Sequence, residues 1–136
     1  MTIHVSQGLR QVLDDLGHEF LREFLEIETS RNPDNVEALA ELGHIYTLQG
    51  QWNKGLTVDL QLVAVVPESS TVRYNLACSY ALLGRIDEAF DALNTAVDLG
   101  YDEDLFMAED SDLEALRNDQ RFRTLLERIR SLKELS

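Results

Sequence analysis

The sequence repeats itself at an offset of 34 residues, and this constrains its fold more than any other feature. Leu42 recurs as Leu76, Gly43 as Ala77, Tyr46 as Tyr80, Leu48 as Leu82 and Gly50 as Gly84, while Pro33 stands one period before Pro67. A unit of this length holds two helices and a turn, and it buries its apolar face only by stacking on a neighbour. The spacing therefore predicts an all-α array of helix pairs, with the packing positions marked in advance.

Each repeated residue has a physical task. A small side chain at Gly43 or Ala77 lets the partner helix approach, while Leu42 and Tyr46 project into the core from a neighbouring stripe. Gly50 and Gly84 stop the first helix, because glycine enters the left-handed conformation that ends it. Ala89, Leu93 and Ala96 return the second helix against the first, and Pro67 closes the unit through its missing N–H. LAELGHIYTLQGQWNKGLTVDLQLVAVVP (39–67) and RYNLACSYALLGRIDEAFDALNTAV (73–97) resemble the tetratricopeptide repeat in these features. Residues 100–136, with LEALRNDQRFRTLL (113–126), resemble a common ending of such arrays in bacterial proteins. The first repeat departs from the pattern: Asp59 occupies a usually apolar position and Leu62 a usually small one.

The resemblance implies a short right-handed solenoid in four parts: a degenerate N-terminal helix pair (1–33), two repeats (34–69 and 70–103), and an ending with a capping helix (104–136). In the first part Leu9, Val12, Leu13, Leu16, Phe20, Phe24 and Ile27 fall at helical spacing, Ser6 offers an N-cap and Gly17 a break. In the last, Asn118 or Asp119 caps a helix with apolar Phe122, Leu125, Leu126, Ile129 and Leu132. Its other face carries Arg121, Arg128 and Lys133.

A formal charge of −13 and a pI near 4.4 argue against nucleic acid or an anionic membrane as partner, since both need a basic footprint. Residues 117–136 carry six basic and three acidic side chains, so the main body favours basic partners and the C-terminal helix acidic ones. The single Cys78 cannot form an internal disulfide, and MTIHVSQGLR lacks the features of a secretory signal. With no membrane-length apolar run, the expected compartment is the cytoplasm.

The motifs offer little chemistry. Glu41 and His44 share a helix face, as a di-iron Glu-x-x-His pair does, but the only echo is Asp15-x-x-His18 and the further glutamates are missing. His18-Glu19 does not extend to HExxH, and the acidic stretch 102–114 lacks the spacing and glycine of a calcium loop. Ser111-x-x-Glu114 reads as a capping box. Nothing resembles a phosphate loop, a nucleophile elbow or a Cys–His pair. The expectation is a protein with no enzymatic activity, cofactor or metal.

What remains is surface. The first helices of such repeats line a concave groove, which selects Glu37, Glu41, His44, Leu48, Tyr74, Asn75, Cys78 and Leu82 for contact with a protein or peptide partner of basic character. Tyr74 supplies area, and Asn75 can bond an extended backbone; the alternative is that Tyr74 simply packs and Asn75 caps an internal contact. The carboxylate clamp found in some members of that family is incomplete, because Ala40 and Glu109 stand where Lys and Arg are expected. An alternative function is self-association. LTVDLQLVAVV (56–66) is apolar almost all round, with Val58, Leu60 and Val66 at positions that would normally face water, so a homodimeric scaffold is the competing expectation.

Overall fold

The computed structural model describes residues 6–136. Among these residues the structure is helical, with no strand: α1 (Gln7–Arg31), α2 (Val36–Leu48), α3 (Trp52–Val65), α4 (Ser70–Leu82), α5 (Ile86–Asp98), α6 (Asp104–Glu109), a 3₁₀ turn (Ser111–Leu116) and α7 (Gln120–Glu134). The two repeats are the pairs α2/α3 and α4/α5.

The turns within the pairs are built alike. Gly50 and Gly84 adopt φ of 72° and 74°, and the following residue's N–H returns to the first helix, Gln51 to the Tyr46 carbonyl (2.8 Å) and Arg85 to the Tyr80 carbonyl (2.9 Å). This is the glycine-closed helix ending expected from the sequence. Four helix starts use short polar caps: Ser6, Asn35, Ser69 and Asp119 accept from the Leu9, Ala38, Val72 and Arg121 N–H groups, while α3, α5 and α6 begin without a side-chain cap. The 3₁₀ turn is capped by Asp110, which accepts from the Asp112 N–H, so Ser111 lies inside the turn and is not the cap.

Close approach is visible at Gly43. A Cβ there would stand 3.5 Å from Val58 Cγ1 and 3.4 Å from Asp59 Oδ1, so alanine is about the largest residue that fits. Leu39, Leu42, Ile45, Val58 and Leu62 form one apolar cluster, with Leu25 of α1 and Val72 of α4. A larger one joins Leu76, Ala77, Ala89, Phe90, Leu93 and Ala96 to Met107, Leu113, Leu116, Phe122, Leu125 and Ile129. Half-buried Val63 touches both clusters.

Two expectations are corrected here. The N-terminal segment is one 25-residue helix and not a pair, with its first five residues outside the described part. A lone glycine costs a helix only about 1 kcal/mol relative to alanine, and the good helix formers around Gly17 outweigh it. Second, Val58 is buried within its own chain and Val66 is half-buried, because α2 and the start of α4 cover that side of α3. Of the proposed self-association residues only Leu60 stays exposed.

Four of the five cations of α7 are paired inside the chain, and Arg123 is exposed. Arg121 pairs with Asp87 (2.8 Å) and Arg128 with Asp98, both on α5, while Arg130 (3.0 Å) and Lys133 (2.8 Å) share Asp104. The last helix is thus tied to the acidic body by these pairs. No helix among the described residues is long and apolar enough to cross a membrane.

Candidate functional site

The residues between α5 and α7 decide which part of the first-helix face stays open. After Gly100 the chain turns back, and α6 with the 3₁₀ turn lies across α4. Tyr101 stacks on Tyr74 with ring centroids 4.5 Å apart and planes 4° from parallel, and Phe106 tilts against the same ring at 6.1 Å. The Tyr74 hydroxyl donates to Asp110 Oδ2 at 2.6 Å, and the Cys78 thiol points to the same oxygen at 3.8 Å. Tyr74 and Cys78 are therefore buried anchors for the returning chain, which corrects their assignment as peptide contacts. The sequence placed them on the right helix face, but the protein itself fills that part of it.

What stays open is a cavity of about 270 Å³ between α2, α3, α4 and the returning segment. His44, Thr47, Asn75 and Phe106 line it, together with Asp59, Ser79, Asp110 and Asp112. Of the eight expected groove residues, His44, Tyr74, Asn75 and Cys78 meet here. Glu37, Glu41 and Leu48 are exposed and Leu82 is half-buried, none of them lining the cavity. The Glu41–His44 pair is thus split, with only the histidine facing the cavity.

Three carboxylates ring this space, and no Lys or Arg lines it. Asp59 is the most unusual, with only 6% of its surface exposed. It accepts one hydrogen bond, from the Ser79 hydroxyl to Oδ2 at 2.5 Å. Burial pushes its carboxyl up from an ordinary 3.8 to about 6, with Ser79 opposing the shift. Burial also raises Asp112, neighbouring Asp110 adds to this, and His44 opposes it. The site is accordingly a small, negatively charged recess whose charge has no internal counter-ion.

Burial pushes the Cys78 thiol well up, and Asp110 and Asp112 add to the effect, so it is held as a thiol and not as a nucleophilic thiolate. Among the described residues the nearest approach to a ligand set is Cys78, Asp110 and Asp112, whose donor atoms lie within 4.8 Å of one another. Asp110 is already engaged there by Tyr74 and Cys78, so this cluster works as a hydrogen-bonded support for the returning chain. In the sequence Asp110 and Asp112 lie in a stretch that fails as a calcium loop and resembles a capping box, and neither pattern points to a cavity wall. Asp59 does stand out there as an apolar position wrongly filled, and that mismatch was the available clue.

No known family profile matches the chain. Over 62 residues, 46% of its length, it is 36% identical to a chloroplastic protein of Arabidopsis thaliana, and the match spans 18% of that protein. Among solved structures, a crystal structure of MamA superposes with a TM-score of 0.69 at 18% identity, over 93% of this chain and 72% of that one. The MamA MSR-1 C2 structure gives 0.67 at 20% identity, over 90% and 71%. At these identities the likeness is one of fold, and the chain has the tetratricopeptide-like helical solenoid fold.

Proposed function

We propose that the protein is a non-catalytic interaction module that holds a segment of a partner protein at the recess between α2, α4 and the returning segment, with a Lys or Arg of that partner entering the ring of Asp59, Asp110 and Asp112. The observation that carries this reading is Asp59. A buried carboxylate with one hydrogen bond and no counter-ion costs stability, and an incoming cation would relieve that cost. Exposed His44 and Asn75 at the rim offer hydrogen bonds to the partner's backbone. The likeness to MamA supports the architecture on which such a recess is built.

The test is a selection from an unbiased random-peptide display library with the wild-type protein as bait. The expected outcome is enrichment of peptides with a common Lys or Arg, and loss of their binding to the Asp112→Asn and Asp59→Asn variants. Selected peptides without a basic residue, or with equal affinity for both variants, would refute the assignment.

A further inference from the structure

We propose that the long first helix pairs with the same helix of a second copy, antiparallel, about a two-fold axis level with His18. Leu9, Val12, Leu13, Leu16, Phe20, Phe24 and Ile27 are each more than half exposed, Phe20 at 75%. At 3.6 residues per turn they lie within an arc of about 120°, roughly opposite Leu25, the buried residue through which α1 sits on α2. The stripe therefore faces away from the body of its own chain. Its length from Leu9 to Ile27 is about 27 Å.

Three features select a second copy as the occupant. The first is area. A large apolar side chain covers on the order of 150 Å². Seven that are more than half exposed offer on the order of 600 Å² per copy, within the roughly 600–1,000 Å² per partner of a specific interface. The second is symmetry. Leu9 and Ile27, Val12 and Phe24, and Leu16 and Phe20 are equidistant from residue 18, so an antiparallel two-fold sets apolar against apolar at each of these levels in both copies at once. Leu13 has no apolar mirror position, but it falls one residue from the level of Phe24 in the second copy. The third is direction. Leu9 and Ile27 both lie at the middle of the stripe, which makes them a facing pair only when the helices run antiparallel.

This interface is independent of the acidic recess, and it differs from the α3 surface that the sequence suggested. Light scattering over a range of concentrations tests it. The expected mass is twice 15.5 kDa for the wild type and 15.5 kDa for Phe20→Glu, whose circular dichroism should keep the helical signal of α2 to α7 and lose at most that of the first half of α1. A bismaleimide added to the single variants Leu9→Cys and Ile27→Cys should yield crosslinked dimer in their mixture and none in either alone, Cys78 being buried. A wild type that stays at 15.5 kDa at every concentration, a dimer that survives Phe20→Glu, or crosslinking within Leu9→Cys alone would each overturn the proposal.

Discussion

At Asp59 a charged group stands where the repeat pattern puts an apolar one, and the direction of its pH response follows from its burial. Its folded value, about 6, lies above the ordinary 3.8, so the folded protein holds this proton more tightly than the unfolded chain. The burial cost is absent below about pH 4, grows through the window up to about 6 and is complete above it, on the order of 3 kcal/mol. Asp59→Asn should thus be more stable than the wild type in urea at neutral pH by about that amount, with the gap closing near pH 4. A pH-independent difference would mean that Asp59 does not carry the buried charge. The two stacked tyrosines make a second contrast. Tyr74→Phe leaves the Asp110 carboxylate without its 2.6 Å donor and should cost about 1–3 kcal/mol. The Tyr101 hydroxyl is buried without a partner, so Tyr101→Phe should stay within about 0.5 kcal/mol of the parent or gain stability, measured in the same melts. The role of Tyr74 was not legible in the sequence, because its partners Tyr101 and Asp110 lie far downstream and carry no repeat signature.

At the scale of elements, local rules read well and docking read poorly. The φ values of Gly50 and Gly84, and the cap at Asp119, follow from one or two neighbouring letters. The continuity of α1 did not, since one glycine is a weak break and only a packed second helix would have made it a turn. α7 is similar: its basic count was plain, but the pairing of Arg121, Arg128, Arg130 and Lys133 with α5 and Asp104 depends on tertiary placement. Asp104, held near 2 by Lys133 first and then Arg130, contributes stability above its ordinary 3.8 that is lost as pH falls toward 2. For α1 the consequence concerns exchange. Residues 7–20 are exposed except for half-buried His18, and a helix without tertiary support is marginal in water. In Phe20→Glu their amides should exchange far faster than those of α2 to α5, and in the wild type they should be protected in proportion to dimer. Equal exchange in the two proteins would argue that α1 gains nothing from a second copy.

For the whole molecule, a net charge of −13 is compensated unevenly: four cations of the last helix pair with carboxylates of the chain, and the recess near α4 keeps its carboxylates without a Lys or Arg beside them. Dimer formation through an acidic chain should accordingly strengthen with salt, whereas capture of a basic side chain by the recess should weaken, because screening removes repulsion in the first case and attraction in the second. Opposite salt responses would separate the two surfaces within one protein. The all-α solenoid and its period were legible from the repeats alone, while the site arose where the ending folds over the groove that the repeats create. The most direct measurement is a map of backbone amide shifts on titrating the tightest basic peptide from the display selection into the labelled protein. The account predicts that the largest shifts cluster at His44, Asn75, Ser79 and Asp110 to Asp112. Shifts confined to α1 or to the outer face of α5 would contradict it.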